Sequence, residues 1–170
     1  TTERTQNYGD AKVIFNRGLL STQAFAKSGG DKKISRDFAH KLITSPSSQW
    51  RNRLGGQFIF NINSFFKRAS IEGGKYYASL YELTDSSLIK TLTKNNGTEI
   101  ILSNANSSKS VIIDGETKTK SINDGTNKDT RKELHKMNNI KVYDRMLGSH
   151  IGHNKFVIYV DKTGLPKSVL

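Results

Sequence analysis

The stretch Lys75-Tyr76-Tyr77-Ala78-Ser79-Leu80-Tyr81-Glu82-Leu83, followed by Thr84-Asp85 and closing at Ile100-Ile101-Leu102, decides the fold class. Its first nine residues are crowded with aromatic and aliphatic side chains and read as a buried strand. Thr84 or Asp85 is a good N-cap, because a short side-chain oxygen can accept from an unsatisfied amide of the first helical turn. Leu88, Ile89 and Leu92 then recur at helical spacing and face a core, and Asn95-Asn96-Gly97 closes that helix. Thr98 to Leu102 is the next strand. A strand, a helix and a strand in succession imply a parallel crossover unit, so the sheet is at least partly parallel.

Outward from this unit the pattern continues. Upstream, Ala11 to Phe15 reads as a short strand, and Ser21 to Lys27 and Ile34 to Ile43 have mixed helical character. Phe58, Ile59, Ile62, Phe65 and Phe66 form one apolar stripe at i, i+1, i+4, i+7 and i+8, the signature of an amphipathic helix. Gly55-Gly56 weakens its first turns. Downstream, residues 103–127 are rich in Asn, Ser, Lys, Thr and Gly, and only Val111-Ile112-Ile113 interrupts them. That composition suggests a long, mobile polar excursion on the rim of the sheet. A helix over Lys128 to Met137 and strands over Ile140 to Leu147 and His153 to Val160 complete a single α/β domain over 1–170. Its sheet is mixed and largely parallel, with flanking helices.

The 170 residues include no cysteine, so disulfides and thiolate metal sites are excluded, and the compartment stays open. No apolar run reaches the ~18 residues of a membrane span. The formal charge is +12, divided evenly between residues 1–85 and 86–170. A cationic excess spread this way creates a field that attracts polyanions, nucleic acid or anionic headgroups among them.

The chemistry concentrates at Gly152-His153-Asn154-Lys155-Phe156. On a strand, residues two apart share a face about 7 Å apart. His153 and Lys155 therefore lie on the face of Val157 and Tyr159, while Phe156, Ile158 and Val160 are expected to enter the packed layer. An imidazole and an ammonium aimed at one spot suit a phosphodiester: the first can attack phosphorus, and the second can neutralise non-bridging oxygens as charge builds. A bare H-x-K pair also arises by chance in a basic chain. Glu82, near the carboxyl end of a central strand, Asn104 at the end of the next, and the Asn16-Arg17 turn are candidate substrate-binding groups.

His153-Asn154-Lys155-Phe156-Val157, with Asp161-Lys162-Thr163-Gly164-Leu165-Pro166-Lys167-Ser168-Val169, resembles the first catalytic motif of bacterial phospholipase-D-like proteins. Phe15-Asn16-Arg17-Gly18, the segment around Trp50, Leu80 to Asp85 and Ile100 to Asn104 follow in the order that family shows. The resemblance implies a half unit of a metal-independent and cofactor-free phosphodiesterase. In it His153 forms a covalent phosphohistidine, Lys155 holds the phosphate, and Asp161 completes the catalytic set. It also implies a second unit whose own H-x-K histidine protonates the leaving oxygen. Two departures stand out. Asp161 follows Lys155 by six residues where the family has five, which a one-residue bulge could absorb. The family's Gly-Ser-x-Asn segment would begin where this sequence stops, so a longer protein or a second copy is expected to supply the rest. Nucleic acid is the substrate class that the charge favours. A phospholipase or transphosphatidylase on lipid diesters, and a catalytically silent nucleic-acid-binding module, are the alternatives.

Overall fold

The computed structural model describes residues 5–8, 11–14, 27, 35–147 and 152–170. The expected helix over Ser21 to Lys27 thus falls almost wholly outside the described residues. The chain divides into two compact units, 1–65 and 66–170. The reason lies in the apolar residues: among the described residues, every buried hydrophobic side chain belongs to Phe66 or a later position.

The first unit holds an antiparallel pair, β1 (Thr5–Tyr8) and β2 (Ala11–Ile14), with Thr5 opposite Ile14. It also contains α1 (Arg36–Thr44), whose Ser35 cap accepts from the Phe38 amide at 3.2 Å, and which stops just before Pro46. Helix α2 (Gln49–Glu72) breaks at Gly56, where φ is 46° and ψ is −130°. That conformation favours glycine, so the Gly55-Gly56 pair, expected only to weaken the first turns, divides the helix outright. Of the apolar stripe, Phe66 is buried and Phe58 is 38% exposed.

The second unit is built on a five-stranded mixed sheet ordered β7-β4-β3-β8-β9. Its strands are β3 (Lys75–Leu80), β4 (Glu99–Ser103), β7 (Lys141–Arg145), β8 (Lys155–Val160) and β9 (Pro166–Val169). Strands β3, β4 and β7 are parallel, whereas β8 and β9 join antiparallel. Helix α3 (Ser86–Thr93) connects β3 to β4, and Asp85 caps it by accepting from the Leu88 amide at 2.9 Å.

The core lies on the sheet face that carries Tyr76, Ala78, Leu80, Ile100, Leu102, Val157 and Tyr159, all buried. Phe66 meets Tyr76 edge-on at 5.2 Å, and Tyr76 meets Tyr159 at 5.5 Å. Both phenols find partners, as buried tyrosines must. The Ala69 amide donates to the Tyr76 hydroxyl at 3.0 Å, and the Tyr159 hydroxyl donates to the Gly73 carbonyl at 2.6 Å.

Residues 103–127, expected as a polar excursion interrupted by Val111-Ile112-Ile113, have regular structure over most of their length. They form an antiparallel hairpin of β5 (Ser107–Ile113) and β6 (Glu116–Ile122) with seven cross-strand pairs. Asp114 and Gly115 turn it with φ of 54° and 79°. Two positive φ values suit a tight primed turn that matches strand twist, for which Asp-Gly is a preferred pair. The hairpin leads into α4 (Lys128–Leu134). Among the described residues, no helix is long and apolar enough to cross a membrane.

Candidate phosphate site

The carboxyl ends of β3, β4 and β7 are held by one buried polar network. Asn127, fully buried, donates to the Tyr81 carbonyl at 2.7 Å and the Ser103 carbonyl at 2.9 Å, and accepts from the Leu83 amide at 3.0 Å. Arg131 grips both oxygens of Asp124, at 2.7 and 3.0 Å, and donates to Asp144 and to the Leu102 and Ser103 carbonyls. Asp144 also takes His135 at 3.0 Å. Burial works to raise the Asp144 carboxyl, but Arg131 and His135 more than offset it and hold it below the usual carboxylate range. These bonds satisfy carbonyls at strand ends that would otherwise be buried without partners.

Against this end of the sheet sits Gly152. A β-carbon there would stand 2.5 Å from Ser103 Oγ and 2.8 Å from Leu147 Cδ1, so glycine lets the chain approach β4 closely. Two residues on, Asn154 carries the chain into the sheet, and its carbonyl accepts from the Tyr81 amide at 2.7 Å. Lys155 then pairs with Leu80. His153 and Lys155 consequently stand together beside the carboxyl end of β3, where the chain returns from β7 to the other side of that strand. Open α/β sheets place their ligands outside the carboxyl ends of their parallel strands.

Lys155 Nζ lies 2.8 Å from His153 Nε2. The Tyr81 ring lies 5.0 Å from the His153 ring, and the ammonium stands 5.4 Å from the Tyr81 centroid. Both His153 and Lys155 are exposed. An ammonium is only a donor, so this contact makes Nε2 the acceptor and puts the imidazole proton on Nδ1. The arrangement presents a nitrogen lone pair and a mobile positive charge to solvent, over an aromatic floor.

The layer assignment of β8 is the expected one only at Val160, which is buried. Val157 and Tyr159 are buried as well, whereas Phe156 is 41% exposed and Ile158 is half-buried. The covered face is the one where the Tyr159 ring packs, tilted, against Tyr76. Lys155 lies at the open end of that face, and His153, expected to start the strand, precedes it in a turn where the Asn154 amide bonds back to the Gly152 carbonyl at 2.8 Å.

Of the other expected site residues, Asp161 is set apart from His153. Asp161 sits at the far end of β8, about 20 Å along the strand. Its Oδ1 accepts from the Thr163 hydroxyl at 2.6 Å, the Thr163 amide at 2.8 Å and the Leu165 amide at 3.1 Å, and Oδ2 meets Lys167 at 3.3 Å. These donors, the Thr163 hydroxyl first, hold its carboxyl far below the usual range. Asp161 therefore shapes the β8–β9 turn. There is a one-residue slip nearby, but it falls on β9: Tyr159 pairs with Ser168 and Val160 with Pro166, which leaves the spacing from Lys155 to Asp161 unchanged. Asn104 is buried, accepting from the Leu147 amide at 2.8 Å and donating to Asn123 at 3.1 Å, so it ties strand ends together. Glu82 is exposed next to Tyr81. Asn16 and Arg17 lie outside the described residues.

Tyr81 and Asn127 were missed as contributors. Tyr81 stood in the strand–cap segment already singled out, one position from Glu82. Asn127 offered no local signal, because its partners are 24 to 46 residues away. A shallow groove of about 680 Å³, lined by Gly74, Lys75, Tyr77, Ile158, Asp161 and Pro166 among others, lies at the opposite end of β8 from His153. The chain matches no protein-family model, no curated protein and no solved structure.

Proposed function

We propose that the chain is one half unit of a phospholipase-D-type phosphodiesterase, with nucleic acid as its substrate class. The observation that carries this is the contact of Lys155 Nζ with His153 Nε2, 2.8 Å apart at the carboxyl end of β3. When a phosphodiester arrives, Lys155 transfers its donors to a non-bridging oxygen and uncovers Nε2. The imidazole then attacks phosphorus, the N–P bond forms, and the P–O bond to the leaving group breaks. A second imidazole, from a second unit, gives the departing oxygen its proton. Water, deprotonated by that same imidazole, then attacks phosphorus and breaks the N–P bond. Lys155 stabilises the charge on phosphorus in both steps. The net charge of +12 suits a polyanionic substrate, which is the ground on which nucleic acid is preferred.

A binding-only role is the second reading. It is favoured by the position of Asp161, which lies at the far end of β8 and shapes the β8–β9 turn.

The test is turnover of a generic diester and of plasmid DNA by the protein supplied with its second unit, with acid-labile phosphate trapped on His153. His153→Ala and His153→Asn are expected to abolish cleavage, and EDTA to leave it unchanged. Cleavage that survives His153→Ala or stops on chelation removes the phosphohistidine route. Salt-sensitive DNA affinity without any turnover establishes the silent module instead.

A further inference from the structure

The β5–β6 hairpin stands apart from the five-stranded sheet and has neither face buried: every residue except Ser107 and Val111 is exposed. An isolated two-stranded ribbon is marginal by itself. Here its base is fixed. The Asp124 amide donates to Asn106 at 3.1 Å, the Thr126 amide to the Ala105 carbonyl at 2.9 Å, and Arg131 ties Asp124 to the carbonyls ending β4. Ser103, the last residue of β4, is also where Gly152 packs. The ribbon thus leaves the sheet from the same end that holds His153 and Lys155.

Its two faces differ. Directly opposed residues share a face, so Ser107 opposite Ile122, Lys109 opposite Lys120, Val111 opposite Lys118, and at the tip Ile113 opposite Glu116, line one side. The other side pairs Ser108 with Ser121, Ser110 with Thr119, and Ile112 with Thr117. Acidic groups are confined to the tip, with Asp114 in the turn and Glu116 3.9 Å from Lys118. Two like charges directly opposed on a ribbon destabilise it, and an anion between them would relieve the repulsion. Lysines on one face and hydroxyls on the other are the donors that hold phosphate backbones without reading sequence. A two-stranded ribbon also fits the major groove.

We propose that the β5–β6 hairpin is a nucleic-acid-gripping ribbon, with Lys109 and Lys120 on backbone phosphates of the strand whose diester reaches His153. This rests on nucleic acid being the substrate class, and it adds where the polymer is held.

The test is binding of a labelled DNA duplex across a salt series, with Lys109→Gln/Lys120→Gln and Lys109→Arg/Lys120→Arg, beside hydrolysis of bis(p-nitrophenyl) phosphate. The Gln pair is expected to weaken DNA binding on the order of 10- to 30-fold and to reduce the log–log salt slope by about 2. The Arg pair is expected to restore both, and hydrolysis of the small diester to stay unchanged throughout. Unchanged affinity and slope in the Gln pair overturn the ribbon while leaving the phosphodiesterase intact. His153-dependent hydrolysis of the small diester by a protein that binds no DNA overturns it as well. If hydrolysis is indifferent to His153→Ala but the Gln pair still loses DNA, the ribbon stands and the phosphodiesterase falls.

Discussion

Lys155 donates to His153 Nε2 at 2.8 Å, so in the proposed reaction the attacking nitrogen is covered at rest by the cation that would later neutralise the phosphate. On that reading the two roles exchange in one movement of a flexible side chain. Removing the ammonium would leave the proposed nucleophile uncovered but the developing charge unmatched. Lys155→Ala is expected to raise the barrier by about 2–4 kcal/mol, as for loss of one preorganised donor. Single-turnover cleavage measures this, and a rate equal to the parent would show that Lys155 does not touch the phosphate.

Tyr81 supplies a ring, not a proton, to this pair. Tyr81→Phe keeps the ring 5.0 Å from His153 and is expected to leave kcat within about twofold. Tyr81→Ala frees both side chains, and a five- to tenfold loss is expected from a contact of roughly 1 kcal/mol. A Phe variant as impaired as Ala would instead make the hydroxyl the active group.

Gly152 sets how closely the His153 segment approaches β4. Gly152→Ala is expected to cost about 1–3 kcal/mol in urea unfolding, as overpacking does. Ser103→Ala removes the Oγ that a new β-carbon would meet at 2.5 Å, so the double variant should recover part of the loss. Strict additivity of the two would show that these residues are not coupled.

Asn127 joins β3, β4 and the segment after Tyr81 through three bonds. Asn127→Ala orphans the Leu83 amide and the Tyr81 carbonyl, while Ser103 keeps Arg131. The expected cost is about 2–4 kcal/mol, since each buried orphan carries its own desolvation penalty. A loss below the lower figure would mean that water replaces the side chain.

Asp161 carries a pH signature. Its carboxyl is depressed in the fold, chiefly by the Thr163 hydroxyl, whereas the unfolded group titrates near 3.9. Its stabilising contribution is therefore complete above about pH 4 and lost as the pH falls towards the folded value. Asp161→Ala is expected to be less stable than the parent at neutral pH, with the gap closing below about pH 4. Because the carboxylate lies a strand's length from His153, diester turnover should persist in that variant. Loss of turnover with an unchanged melting temperature would return Asp161 to the catalytic set.

The residues themselves determined the strand at Lys75, the Asp85 cap, the helix through Leu92 and the strand to Ser103. Each is a local pattern whose cause lies within a few residues, whereas the contact of His153 with Lys155 is made by a turn ahead of β8, where the Asn154 amide bonds back to the Gly152 carbonyl. The Asp114-Gly115 turn was equally local, yet the polar composition around it concealed the hairpin. Tertiary structure alone decided which face of β8 is covered, because that depends on Tyr76 and Phe66, some ninety residues earlier. It alone set Asp161 apart from His153 and made Asn127 the clamp across two strand ends. Alternation along a strand fixes which side chains share a face, but only the elements packed against the sheet decide which face is dry. Hydrogen-bond partners dozens of residues apart leave no spacing to read.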